Sequence, residues 1–350
     1  MTKSLIENKK LVIVLIGLPA RGKSYVSKKL CKYLNWLNIS AQIFNVGNYR
    51  REFEGEYTGN NFFDGNNCDA QKIRKLSADS AMNDMIDWLN NRDGKIAFFD
   101  ATNTTRERRH WIEMSVTQHQ IDILFLEIVC DDQHTINDNI EKVKLFTRDY
   151  LHCPREDAIK DFKSRIEHYA AVYEPVDGEF DKSTSFIRIF NKGSRFEINK
   201  IDSIFKQEIF HFIKSIRLTN RFINLFSDLP KGLQDFMATP TVNHIKLDLN
   251  DANEVSMSGT IPIERNEEQI ENFKRLRMHE RSDEILIQLI PIILESERHE
   301  RMSIFTSEII SRYLLKYFDN EFIHEENLST SPLQIECNIN KPTYNIHIVR

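Results

Sequence analysis

The stretch LVIVLIGLPARGKSYVS, residues 11–27, decides how this chain is read. Six apolar residues, Leu11 to Ile16, run directly into Gly17. After four intervening residues come Gly22, Lys23 and Ser24. The spacing G-x-x-x-x-G-K-[ST] is that of a loop that cradles a phosphate chain. The apolar run predicts a buried strand. Val26, Leu30, Tyr33, Leu34 and Leu37 recur at helical spacing and predict a helix over 24–37. In that arrangement Gly17 and Gly22 let backbone N–H groups close around an anion. Lys23 neutralises the terminal phosphates, and Ser24 offers its hydroxyl to Mg²⁺. The helix turns the positive end of its dipole toward the same anion. The eight-residue pattern occurs by chance, but a strand before it and a helix after it favour a nucleotide site. ATP and Mg²⁺ are the expected cofactors.

Working outward, the first half of the chain alternates strand-like runs with longer helical patterns. AQIFNV (41–46), KIAFFDAT (95–102), IDILFLEIVC (121–130) and SFIRIF (185–190) read as strands. Helices are expected over 74–89, after AFFDAT, and at about 132–143 and 155–172. This βαβα order predicts an α/β fold, a parallel P-loop NTPase-like sheet with helices on both faces. From about residue 200 the pattern changes. IDSIFKQEIFHFIKSI and DEILIQLIPIILESER read as helices, and RFINLF, MSIFTS and YNIHIV as strands. Residues 228–283 look polar and irregular. No Pro/Gly linker marks the change, and two domains, 1–215 and 216–350, are expected.

Bulk properties narrow the function classes. A chain of 350 residues accommodates two domains. With 41% hydrophobic and 28% charged residues it is globular. A formal charge of −5 argues against a general nucleic-acid binder. Leu11–Ile16 is too short for a membrane span or signal-peptide core. The five cysteines are scattered and never in C-x-x-C spacing, which fits reduced thiols in the cytoplasm. The expectation is a cytoplasmic protein with neither nucleic-acid nor membrane partners. Homodimerisation stays open.

Two further groups carry chemistry. Asp100 ends the apolar run IAFFD. An acid there is ordinarily a turn or helix cap, but paired with the loop it suits a Mg²⁺-associated carboxylate. Thr102 lies two residues on. Arginines gather at expected strand carboxyl ends: Arg50 and Arg51 after AQIFNV, and Arg106, Arg108 and Arg109 after AFFDAT. Ligands of open α/β sheets bind at those ends. Some of these arginines could be simply solvated. Three cations at one helix start nevertheless oppose its dipole and call for an anion. The planar guanidinium fork suits phosphate, so a small phosphorylated acceptor is expected.

The motifs GLPARGKS, FNVGNYRRE, DATNTTRERR and the spacing to VKLFTRDY together resemble the kinase half of the 6-phosphofructo-2-kinase/fructose-2,6-bisphosphatase family, collinearly over about residues 10–215. The resemblance implies ATP-dependent phosphorylation of the 2-hydroxyl of fructose 6-phosphate. It implies roles for Gly22, Lys23 and Ser24 at ATP and Mg²⁺, and for Asp100 as the catalytic or metal-associated acid. It places Arg50, Arg51, Arg74, Thr102, Arg108, Arg165 and Tyr169 around the sugar phosphate. Asn139 and Lys144 fall near the nucleotide and the transferred phosphoryl group. One departure is FTRDY in place of SSPDY, which puts Arg148 where proline is usual. It bears on loop stiffness and removes no catalytic group.

The family's other half is a histidine phosphatase of phosphoglycerate mutase-like α/β fold, with its nucleophile in an R-H-G motif. No R-H-G occurs in this chain. Alignment of QEIFHFIKSIRLTNRFINLF puts Ser227 and Asp228 at the Arg and His positions, and alignment of the later segment puts Ser307 at the second His. None of these side chains can form a phosphohistidine. The expectation is therefore a degenerate, inactive phosphatase-like domain kept as packing surface, with a kinase beside it. Two rivals remain at this point. One is a non-enzymatic sugar-phosphate-binding regulator derived from the family. The other is a different P-loop small-molecule kinase.

Overall fold

The computed structural model describes residues 10–54, 60–142, 148–150, 153–216, 221–226, 244–249, 255–259, 284–298, 301–306, 314, 317, 333–337 and 344–348. Lys144, Ser227, Asp228 and Ser307 lie outside them. The chain divides into two compact units, Met1–Phe210 and His211–Arg350.

The first unit is built on six strands: β1 (Leu11–Ile16), β2 (Ala41–Asn45), β3 (Ile96–Asp100), β4 (Asp122–Val129), β5 (Phe186–Phe190) and β6 (Arg195–Asn199). Their order is β2-β3-β1-β4-β5-β6. The first five are parallel, and β6 pairs antiparallel with β5. The expected parallel sheet is present, and β6, a strand absent from the sequence reading, extends it antiparallel at one edge. A three-residue 3₁₀ turn, Asn191–Gly193, joins β5 to β6, with Lys192 at φ 62° and Gly193 at φ 89°. So short a connection can only return the chain beside itself.

The helices of this unit are α1 (Lys23–Trp36), α2 (Val46–Glu54), α3 (Cys68–Asn91), α4 (Arg106–Thr117), α5 (Gln133–Lys142), α6 (Arg155–Ala171) and α7 (Ile204–Ser215). The division between the units falls inside α7. β1 is completely buried. Val12, Val14 and Ile16 pack with Met82 and Met85 of α3 and with Ile112 and Val116 of α4. The pleat sends Ile13 and Leu15 to the opposite face, where they are equally buried. On α1, Val26, Leu30, Tyr33 and Leu34 form the buried stripe that the sequence predicts. α3 starts earlier than expected because the Asn67 side chain caps it, accepting a hydrogen bond from Ala70 N at 3.0 Å. None of the described helices is long and apolar enough to cross a membrane. Cys31, Cys68, Cys130 and Cys153 are free thiols.

A strap after α6 locks the turn between β3 and α4. Glu174 N donates to Thr104 O at 2.9 Å, and the Glu174 carboxylate accepts Arg106 N at 2.6 Å. Arg109, 3% exposed, donates to Glu174 O at 2.8 Å and to Pro175 O at 3.4 Å. Beneath it lies the fully buried carboxylate of Glu127 on β4. It accepts Tyr173 OH at 2.5 Å, Val176 N at 3.0 Å and Arg188 Nε at 2.5 Å. A buried carboxylate is tolerable only when its lone pairs are met in this way.

The second unit has its own sheet of β7 (Arg221–Phe226), β8 (His244–Leu249), β9 (Val255–Gly259), β10 (Arg301–Thr306), β11 (Leu333–Cys337) and β12 (Tyr344–Ile348), in the order β12-β11-β7-β10-β8-β9. β7, β10 and β8 are parallel, and the flanking pairs are antiparallel. β8 and β9 lie in the stretch expected to be irregular. The alternation of Ile245, Leu247 and Leu249 in HIKLDL is the overlooked strand signal. The helix α8 (Glu284–Arg298) buries Leu289, Ile290, Ile292 and Ile293.

Two outcomes follow. Gly17 has φ +133°, and a Cβ there would sit 2.5 Å from Ile128 O. Gly17→Ala should lower unfolding stability by about 1–3 kcal/mol in urea denaturation, from strain and displacement of β4. Arg109→Ala orphans two carbonyls of the strap and should cost roughly 2 kcal/mol or more on the same assay. Amide exchange around residues 173–176 should speed up with it.

Candidate active site

Parallel pairing brings the carboxyl ends of β1, β2 and β3 to one edge, where open α/β sheets hold ligands. The loop after β1 begins at Gly17, whose N–H donates to Thr102 O at 3.0 Å. It ends at Gly22, in the left-handed region at φ 97°. No side chain caps α1, and its first turn holds no acidic residue. A helix start of this kind suits an anion. Lys23 is buried, with Nζ donating to Gly17 O and Leu18 O, both at 2.7 Å. Asn139 on α5 braces the loop from outside, donating to Ala20 O at 2.9 Å.

Ser24 and Asp100 meet across the β1–β3 junction. Ser24 Oγ donates to Asp100 Oδ2 at 2.8 Å, and Asn45 Nδ2 donates to the same oxygen at 2.7 Å. Asn45 is the last residue of β2, and its Oδ1 accepts Gly47 N, in the first turn of α2, at 2.9 Å. Past Asp100 the chain turns through Thr102 and Asn103. Asn103 is 2% exposed, at φ 44°, and its Nδ2 donates to Leu15 O at 2.7 Å. Its Oδ1 is buried without a hydrogen-bond partner among the described residues. The nucleotide-type loop and the Asp100 turn are therefore joined at Gly17–Thr102, Ser24–Asp100 and Leu15–Asn103.

A second group of side chains gathers arginines from three helices. Arg50 and Arg51 come from α2, Arg74 from α3 and Arg165 from α6. Asp149, in a 3₁₀ turn at Arg148–Tyr150, receives Arg50 Nη2 at 2.5 Å, Arg51 Nη1 at 3.2 Å and Arg165 Nη1 at 3.3 Å. Phe62 and Phe63 fill the space between them. The Arg165 guanidinium lies 3.9 Å and that of Arg50 5.4 Å from the Phe63 ring centre. Arg74 lies 6.0 Å from that of Phe62. Tyr169 packs on Phe63 at 5.8 Å. Guanidiniums over ring faces gain cation–π attraction while their edges stay available for hydrogen bonds.

Electrostatics separate the arginines that face this group from those that do not. Burial pushes the Arg108 guanidinium down to about 10, offset in part by Asp79 and Tyr169 nearby. Arg108 stacks 4.1 Å from the centre of the Trp111 side-chain ring. Arg109 is committed to the strap carbonyls. Arg106 lies 4.1 Å from the Phe180 ring centre and 3.8 Å from Glu174. Of the three arginines at the start of α4, Arg106 and Arg109 are thus engaged with Phe180 and the strap, and Arg108 is the one beside Tyr169. Burial raises the Asp149 carboxyl, but Arg50, Arg165 and Arg51 outweigh it and hold the group below the usual carboxylate range.

Gly17, Gly22, Lys23, Ser24, Asp100 and Asn139 thus form one cluster, and Arg50, Arg51, Arg74, Arg165 and Tyr169 another. Arg108 is an electrostatic neighbour of Tyr169, and Thr102 sits beside the loop. Asn45, Asn103, Asp149, Phe62 and Phe63 were missed in the sequence. Asn45 had a usable signal, as a polar residue ending a strand at the ligand edge. Phe62 and Phe63, in NNFFD, had none from periodicity.

A family profile described as 6-phosphofructo-2-kinase matches residues 1–220. Three similar proteins carry the name 6-phosphofructo-2-kinase/fructose-2,6-bisphosphatase. That of Aquarana catesbeiana is 43% identical over 218 residues, covering 62% of this chain and 46% of its own. Form 3 of Rattus norvegicus is 42% identical over 221 residues, covering 63% and 40%. Form 1 of Bos taurus is 40% identical over 218 residues, covering 62% and 46%. The chain spans less than half the length of these curated relatives. The matched span contains both side-chain clusters, from Gly17 to Tyr169, and by that match the chain belongs to the 6-phosphofructo-2-kinase family.

Proposed function

We propose that the chain transfers the terminal phosphoryl group of ATP to the 2-hydroxyl of fructose 6-phosphate, giving fructose 2,6-bisphosphate and ADP, and that it has no fructose-2,6-bisphosphatase activity. One observation carries the reading above all. The loop–acid cluster of Lys23, Ser24 and Asp100 stands in the same unit as an arginine group richer than ATP alone requires. The names of the relatives support the same acceptor.

The first cluster would hold the nucleotide. The Gly17–Gly22 loop and the uncapped start of α1 would receive the polyphosphate, with Lys23 turning from the loop carbonyls to the anion. Asn139 keeps the loop in shape through Ala20. Ser24 and Asp100 present two oxygen donors of the kind Mg²⁺ takes. Among the described residues there is no group of three or more His, Cys, Asp or Glu that could cage a metal alone. That suits an ion shared with substrate phosphates. Bound there, Mg²⁺ would offset charge on the phosphates as the phosphoryl group moves.

The second cluster would hold the acceptor. Arg50, Arg51, Arg74 and Arg165 are suited to the 6-phosphate, with Arg108, Thr102 and Tyr169 along the sugar. In the transfer, the bond from the 2-oxygen to phosphorus forms as the bond to the ADP oxygen breaks. Asp100 is the carboxylate proposed either to take the hydroxyl proton or to hold the metal. Lys144 is proposed beside the transferred group from the resemblance alone. Positioning and charge neutralisation then supply most of the rate.

The second unit is proposed to be a phosphatase-derived domain without catalytic histidines. Purified protein given ATP–Mg²⁺ and fructose 6-phosphate should form fructose 2,6-bisphosphate and should not hydrolyse it. Lys23→Met should lower kcat by about 100-fold or more while the fold persists. A folded protein that forms no product would favour a sugar-phosphate-binding regulator. One that ignores fructose 6-phosphate but phosphorylates gluconate or a nucleotide would favour a different kinase.

A further inference from the structure

Asp149 has no place in the phosphotransfer reaction, yet Arg50, Arg51 and Arg165 all converge on it. Its two oxygens divide the work. Oδ1 takes Arg50 and Arg51, and Oδ2 takes Arg165. Each arginine donates through one terminal nitrogen, so the carboxylate meets one edge of each planar fork. Its place in the chain is fixed by its neighbour. Tyr150 is buried against Ile140, Ala158 and Phe162 and donates to Asp161 Oδ2 at 2.8 Å. Asp149 is therefore held by the core behind it rather than laid over the arginines as a cover.

We infer that Asp149 is a positioning residue of the acceptor site, a built-in counter-ion that aims Arg50, Arg51 and Arg165 together and offsets part of their mutual repulsion, ready for a phosphate monoester. The inference rests on the acceptor assignment above. The three guanidiniums and the carboxylate leave an excess of two positive charges and Arg74 adds a third, so the cradle stays positive toward the roughly −1.5 to −2 that a phosphate monoester carries near neutral pH. Without the carboxylate, three like charges would face each other at close range. Arg50 already feels that repulsion, since burial and then its arginine neighbours lower it while Asp149 pulls it back up. The rings of Phe62 and Phe63 lie close to the Arg50 and Arg165 guanidiniums but cannot choose where their N–H edges point. Asp149 can, because an ionised carboxylate rewards only aligned donors.

The test compares the full chain with Asp149→Asn and Asp149→Glu. Binding of fructose 6-phosphate, inorganic phosphate and ATP–Mg²⁺ is measured by calorimetry, and KM and kcat by turnover. Asp149→Asn should weaken both phosphate ligands by about tenfold, as expected for loss of charge-assisted aim at a multidentate site, with ATP affinity held. The loss should appear in KM for the sugar phosphate rather than in kcat. Asp149→Glu, with its charge one methylene farther out, should recover part of it. Equal or tighter phosphate binding by Asp149→Asn would make Asp149 a competitor for the arginines and overturn the inference. A parallel loss of ATP binding in both variants would reduce it to a fold contact and overturn it equally. If Asp149→Asn does not fold, Asp149→Glu decides. Sugar-phosphate affinity within about threefold of the parent, with ATP affinity held, supports the inference, and misfolding overturns it. A parent chain that binds phosphate but never turns over fructose 6-phosphate would sink the proposed function, while the phosphate comparison would still judge Asp149.

Discussion

β1 and β3 lie side by side and run the same way, with Val14 opposite Phe99, so both leave the sheet at one edge. Everything at the candidate site depends on that pairing. The ladder is extended past the strands by Gly17 N–H to Thr102 O, which brings the loop within reach of the Asp100 turn. Ser24 and Asp100 then meet at 2.8 Å although 76 positions separate them. A slip of one residue would turn Asp100 to the other face of the sheet. It would also send alternate buried residues of β3 to the wrong side. The apolar core and the loop–acid pair therefore enforce the same register.

The arginine group solves a different problem. Close cations repel, and burial removes the water that would screen them. Here aromatic rings lie close to Arg50, Arg74 and Arg165, and one carboxylate accepts hydrogen bonds from Arg50, Arg51 and Arg165. Both features come from segments distant in sequence, Phe62 and Phe63 before α3 and Asp149 before α6. Arg109 shows the contrasting use of the same side chain. Its fork closes on the main-chain carbonyls of a strap, where any fixed planar donor would serve, and no ligand is needed to balance the geometry.

The sequence made the centre of the first sheet legible because β1, β3 and β4 are buried on both faces, and the helices between them repeat at 3.6 residues. It did not reveal β6, where Arg195, Glu197 and Asn199 interrupt the apolar run. β8 was overlooked for the opposite reason, since its alternating pattern sits among polar neighbours. The loop–acid pair could be read because glycine spacing and a strand-ending acid are local signals. Asp149 could not, because its significance lies in the three side chains that reach it from 16 to 99 positions away. A lone aspartate beside a tyrosine carries no mark of that convergence. Arg106, Arg108 and Arg109 show the same limit. Helical spacing sends successive residues to different faces, so three adjacent-looking arginines have three fates.

The strap on Glu127 explains why two clusters built from separate elements can hold a common geometry. α6 supplies Arg165 and Tyr169, and the chain leaving it passes at once through Tyr173, Glu174 and Val176. Those residues are fastened to β4 by Glu127 and to the Thr104 turn by main-chain and Arg109 bonds. That turn lies just beyond Thr102 and starts the helix that bears Arg108. A shift of α6 must therefore be transmitted to the Asp100 side of the site or break bonds to a buried carboxylate. Leaving such a group unsatisfied costs more than the net worth of the bonds themselves. Charge buried at the strap thus works against independent motion of the two clusters, as the proposed in-line transfer between them would require.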